Sequence, residues 1–180
     1  MNPPRLGTLD WQPARSRPEL LASPVRHALA LADVPCFAAP IDPDLADTAA
    51  FCDAYGVTLD VSANCVVVTG RRGEVTTTAA CLVLATDRAD VNRVVRRHLD
   101  VRKLSFASMA DAVSQTAMEY GGITPVGLPA GWPLLVDQAV ASTDWVVVGS
   151  GIRGSKLALR GADCARLPGA EVLELRQPPG

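Results

Sequence analysis

Residues 120–156 read YGGITPVGLPAGWPLLVDQAVASTDWVVVGSGIRGSK. Glycines, a proline, a carboxylate at the end of an apolar run and two cations gather around two short apolar segments. Glycine lets backbone approach a ligand closely, and Pro125 stiffens the turn that presents Gly121 and Gly122. One apolar run ends in Asp137, the other in Gly149-Ser150-Gly151. Aliphatic and β-branched runs this short, bounded by turn residues, have the pattern of buried strands. Two strands emptying into a common cleft are expected, with the rest of the chain as their scaffold.

Working outward toward the N-terminus, Ser108 caps a predicted helix from Met109 to about Met118, with Asp111 in a capping-box position. A short strand precedes it at Leu104–Ala107. Residues 87–98 pattern as a helix, with Val91, Val94, Val95 and Leu99 on one face and four arginines (88, 93, 96, 97) on the other. The clearest hairpin is Asn64–Thr69, a turn at 70–73 and a return over Val75–Ala85. The run Cys65–Val68 reads as buried on both faces. A helix over Thr48–Tyr55 starts at Asp47 and stops at Gly56. Cys36–Ile41, bounded by prolines, suits an edge strand. Ser23-Pro24 opens a further helix. Toward the C-terminus, a return strand at Lys156–Leu159, a short helix near 162–167 and a closing strand at 171–175 are expected. The tail 177–180 reads as disordered. Residues 1–17 carry three prolines and no period. They read as a flexible arm on which Trp11 is the residue able to dock, leaving 18–176 as one domain. Tight reversals at 70–73 and 151–155 require antiparallel neighbours. The fold class is therefore α+β, with a mixed, mostly antiparallel sheet rather than a doubly wound parallel one.

The 180 residues carry a net charge of −2, with 48% hydrophobic, 20% charged and 4% aromatic side chains. That balance argues against a protein that grips long nucleic-acid backbones, which needs many cations to displace counterions. Contact with a few nucleotides is compatible with it. The five cysteines are scattered, without metal spacing, so neither a metal nor another cofactor is expected. Free apolar cysteines imply a reducing compartment. No apolar stretch approaches the roughly 18 residues of a spanning helix, so the expected location is cytoplasmic, without a membrane partner.

The loop Gly121-Gly122-Ile123-Thr124-Pro125-Val126-Gly127, the run into Asp137, and Gly149-Ser150-Gly151-x-Arg153-x-x-Lys156 resemble the YbaK/EbsC family. These are free-standing aminoacyl-tRNA deacylases, similar to the editing domain of bacterial prolyl-tRNA synthetase. The likeness runs in order from Thr48 to Leu175. It implies a barrel-like mixed sheet surrounded by helices, and hydrolysis of the ester that joins a wrong amino acid to the 3′ end of a tRNA. It also implies that the loop Gly121–Pro125, Thr124 included, holds the ester carbonyl through its backbone, as donors fixed in advance can do. The partners implied are the acceptor end of a mischarged tRNA and, for recruitment, an aminoacyl-tRNA synthetase. The family usually has a lysine at the start of the first hairpin strand, where this chain has Asn64. Either Arg153 or Lys156 supplies that charge, or the chain is a weakened module that binds an acceptor end or a small aminoacyl ligand without turnover.

The residues themselves leave alternatives. Gly121, Gly122 and Pro125 also fit a plain tight turn, and Gly149-Ser150-Gly151 a plain hairpin entrance. Asp137 can orient a substrate amine or cap the helix that follows. Arg153 and Lys156 can meet phosphates or sit on a solvated hairpin tip. Arg71 and Arg72 read as solvated, and His27 and His98 as helix-surface residues. Cys65 has no visible base beside it and reads as packing.

Overall fold

A computed structural model describes residues 2–177; most of the tail expected to be disordered lies outside them. The strands are β1 (Gln12–Pro13), β2 (Cys36–Pro40), β3 (Ala63–Arg72), β4 (Val75–Leu84), β5 (Lys103–Phe106), β6 (Leu134–Asp137), β7 (Trp145–Gly149), β8 (Ser155–Arg160) and β9 (Ala170–Leu173). The helices are α1 (Ser23–Leu31), α2 (Thr48–Tyr55), α3 (Arg96–His98), α4 (Met109–Thr116), α5 (Gln138–Ser142) and α6 (Gly161–Cys164). The strands form two sheets, one in the order β1-β2-β8-β7 and one in the order β5-β3-β4-β6-β9. Five of the seven strand pairings are antiparallel; β4–β6 and β6–β9 are parallel. The α+β class with mostly antiparallel pairing is therefore what the chain adopts. Among the described residues the sheets meet at a single bridge, Ser62 to Val147, and do not close into a barrel. Strands β1, β7, β5 and β9 remain edges.

The β3–β4 hairpin sets the frame. Its pairing runs from Ala63–Leu84 to Arg72–Val75, so the loop is only Gly73-Glu74, tighter than the turn expected at 70–73. Gly73 takes the left-handed φ of 59° that such a loop demands. Gly70 lies inside the strand because β5 crowds it: a Cβ there would come within 2.6 Å of Val101 and 2.9 Å of the Lys103 carbonyl. Residues 87–90 do not join the helix expected over 87–98. Asp90 caps from outside, accepting the Arg93 N–H at 2.9 Å. Residues 91–95 then wind as a π-turn, closed by Val95 N–H to the Asp90 carbonyl, before α3.

The segment expected as an edge strand, β2, is interior. Gln12 and Pro13 cover its outer side while β8 pairs with its inner side. Trp11 beside them is buried, its indole N–H donating to the Leu6 carbonyl at 3.0 Å. Alternation along β8 divides its side chains. Leu157 and Leu159 enter the core shared with Val25, Leu29, Leu82 and Leu134. Ala158 packs on the other face with Phe37, Phe51 and Val147. Each fully buried leucine contributes about 2 kcal/mol of apolar burial. Lys156 has the parity of Ala158 and so falls on the Phe51 side, at the end of β8 that borders the cleft. Among the described residues no helix is long and apolar enough to cross a membrane.

Candidate functional site

The two glycine-rich reversals meet. The Gly151 N–H donates to the Gly122 carbonyl at 2.7 Å, and the Glu119 N–H to the Gly151 carbonyl at 2.8 Å. The Glu119 carboxylate accepts the Arg153 N–H at 2.6 Å. Glycine is required at the contact itself: a Cβ on Gly149 would lie 2.3 Å from the Gly122 carbonyl oxygen, and one on Gly122 2.7 Å from the Ile152 carbonyl. Side chains are absent where the two backbones touch because none fits.

Beside this junction lies a chamber of about 400 Å³. Its walls are the start of α2, the first half of β3, the end of β5, the start of α4, and Gly121, Ile123, Gly149 and Lys156. Asn64 faces it from β3, its Oδ1 accepting the Thr48 hydroxyl at 2.6 Å, which leaves the Nδ2 hydrogens to donate. Lys156 faces it from β8. Its ammonium donates to the Ala46 carbonyl at 2.7 Å and stands 5.0 Å from the Phe51 ring centroid. Burial lowers its pKa from 10.5 to about 8, with the charge of Arg153 pushing the same way and Cys52 and Asp47 opposing. A cation that is 7% exposed and hydrogen-bonded to one carbonyl has donors left for an incoming anion or ester oxygen. Cys65 also borders the chamber, but burial raises its thiol pKa far above neutrality, which suits packing and not attack.

The aminoacyl-tRNA editing domain family matches residues 42–167. The chain belongs to that family. The fold agrees with solved structures. One is a protein proposed to be a trans-editing enzyme for prolyl-tRNA synthetase, at 19% identity and TM-score 0.72, the match covering 88% of this chain and 99% of that one. Another comes from a study grafting epitope backbones onto scaffold proteins, at 19% identity and TM-score 0.73, covering 87% of this chain and 97% of the other. No curated protein sequence matches the chain.

Within this editing domain the candidate residues separate by position. Asn64, Gly121, Gly149 and Lys156 share the chamber. Gly122 and Gly151 clamp the two reversals together, and the Gly122 N–H is engaged by the Glu119 carbonyl at 2.9 Å. Ser150 is buried behind them, its hydroxyl 2.6 Å from that of Ser155. Arg153 does not line the chamber; it donates to the Pro43 carbonyl through Nε and Nη2 at 3.1 and 2.9 Å, and to the carbonyl of Tyr120, which does line it. Thr124 is fully buried, its hydroxyl without a partner among the described residues, and does not line the chamber. Pro125 faces a separate apolar groove of about 820 Å³ against α1. Thr48, Phe106, Met109 and Tyr120 also border the chamber, though no local sequence pattern marks them as site residues.

Asp137 does not face the chamber. It is buried at the N-terminus of α5, where Oδ1 accepts the Ala139 N–H at 2.9 Å. Its Oδ2 accepts the N–H groups of Leu175 and Arg176 at 2.8 and 3.2 Å. It therefore ties the closing segment to the sheet. Asp137→Ala is expected to lower unfolding stability by about 2–4 kcal/mol by orphaning these donors. Hydrolysis per folded molecule should persist. Urea titration alongside an activity assay on the folded fraction checks this; a stable but inactive variant would return Asp137 to the chemistry.

Proposed function

We propose that this editing domain hydrolyses the ester of mischarged tRNA presented in trans. One observation carries the reading: in a chain of this family, a single 400 Å³ chamber gathers a lysine ammonium, an asparagine amide and two glycine-backed turns. That volume is at the small end for ligand pockets and suits an acyl group with its ribose. Water adds to the ester carbonyl carbon. The bond from that carbon to the ribose oxygen breaks, and the ribose oxygen takes a proton, releasing the free amino acid and the uncharged tRNA. The ester is activated already, so no protein nucleophile is required. The ammonium of Lys156 and the amides of Gly121 and Ile123, which border the chamber, are the groups suited to stabilise charge developing on the carbonyl oxygen. Asn64 supplies a neutral donor for a ribose hydroxyl. Lys156, reaching in from β8, supplies the positive charge that the family usually carries at the position of Asn64.

A net charge of −2 limits the grip on a whole tRNA to its acceptor end and leaves room for recruitment by a synthetase. Such a substrate calls for a cytoplasmic site of action. A panel of mischarged tRNAs tests the reading. Release of at least one amino acid well above the uncatalysed rate is expected; no release from any of them at high protein concentration rejects it. Binding of tRNA should weaken only shallowly with salt, with the slope of a few phosphates. A steep slope would contradict contact confined to the acceptor end.

A further inference from the structure

Seven large hydrophobic side chains are exposed among the described residues, and only two of them, Phe106 and Tyr120, are aromatic. Both border the chamber, with Met109 between them in sequence, and the three are 62%, 54% and 56% exposed respectively. They come from three different segments: the last residue of β5, the turn before Gly121, and the first residue of α4. The remaining four, Leu31, Leu59, Val75 and Val172, are aliphatic and lie away from this opening. Local sequence does not bring Phe106 and Tyr120 to one mouth; the tertiary fold does.

The backbone holding Tyr120 is braced. Its carbonyl accepts from Nη1 of Arg153 at 3.4 Å, and that guanidinium is itself held by the Pro43 carbonyl. A half-buried cation thus sits against the backbone of Tyr120 and beside Gly121, two residues that border the opening. Rings plus a cation around an opening that leads to a small chamber are the elements of a single-strand nucleic-acid site. Bases stack on the rings, and the cation meets the backbone phosphate.

We propose that Phe106, Met109 and Tyr120 form a stacking platform for the unpaired nucleobases of the acceptor end, with Arg153 set against a backbone phosphate outside the chamber. This rests on the deacylase reading for what lies inside the chamber, but not for whether the platform binds RNA. The platform holds bases outside, so the chamber is left for the acyl group and its ribose. It explains how an acidic chain can hold a tRNA end with few cations, because stacking does not depend on charge.

The test is binding of a short single-stranded RNA ending in CCA, against the same oligonucleotide with its last two bases removed to leave abasic sugars. Wild-type protein is expected to prefer the intact oligonucleotide by about tenfold or more. In Phe106→Ala/Tyr120→Ala the preference should fall toward one, and Phe106→Trp should retain it, which separates loss of a ring from loss of the fold. Equal binding of the two oligonucleotides by the wild type overturns the platform. So does an unaltered preference in the double alanine variant; if that variant also changes sedimentation, the rings belong to a protein contact instead. Failure of the mischarged-tRNA panel with a base preference intact would reject deacylation and leave the platform standing.

Discussion

Lys156→Met is expected to abolish most deacylation while making the protein more stable at pH 7. The folded pKa of about 8 lies below the unfolded value of 10.5, so the unfolded chain holds this proton more tightly. Below pH 8 both states are charged, and the folded state bears the full penalty of a buried ammonium. Between pH 8 and 10.5 the unfolded state binds the extra proton, so this group makes stability rise with pH. The penalty is on the order of 3 kcal/mol. Methionine removes it but forfeits the bond to the Ala46 carbonyl, leaving a net gain of roughly 1–3 kcal/mol at pH 7. The raised thiol pKa values of Cys36, Cys65, Cys81 and Cys164 act in the opposite direction above pH 9. The quantity to follow is therefore the difference between variant and wild type in urea titrations at pH 7, 8 and 9, which should shrink as pH rises. Single-turnover hydrolysis should fall at least about 100-fold, the scale of losing a charge stabiliser in a desolvated site. In the wild type the catalysed share should decline as pH passes about 8. A variant that is less stable at pH 7 yet still hydrolyses its substrate would make Lys156 a structural brace.

The same lysine illustrates what could be read in advance. Its place in the motif with Gly149–Gly151 was visible, because hairpin reversals are local and announce themselves through glycine. The β3–β4 hairpin and the helix stop at Gly56, with φ 65°, were legible for that reason. Asp137 was not. An aspartate between a strand and a helix has the same local pattern whether it caps or reacts. What decides is the amides of Leu175 and Arg176, nearly 40 residues onward. The interior position of β2 depends on a two-residue strand that no periodicity detects. The parallel joins of β6 to β4 and β9 are equally non-local. The aromatic mouth was hidden because an exposed phenylalanine at a strand end has no sequence signature of its own.

If the chamber depends on backbone contact between the two reversals, the single methyl group added by Gly149→Ala should damage the fold and the site together. The new Cβ would sit 2.3 Å from the Gly122 carbonyl oxygen and 2.7 Å from that of Ile123. Both obstacles are main chain, so no side chain can swing aside, and relief requires the reversals to part. Parting them strains the Gly151–Gly122 hydrogen bond and moves Lys156, which faces Gly149 across the β7–β8 register. Overpacking of this kind costs about 3 kcal/mol or more, and a displacement of even 1 Å costs about 100-fold in a positioned reaction. Gly154→Ala is the matched control in the same hairpin. Its Cβ would meet only Pro43 Cγ, at 3.8 Å, and its φ is not left-handed. The control should unfold and hydrolyse like wild type, whereas Gly149→Ala should lose both stability and activity. Equal melting and equal turnover of the two variants would mean that the reversals do not touch in solution, and that the reaction, if there is one, happens elsewhere.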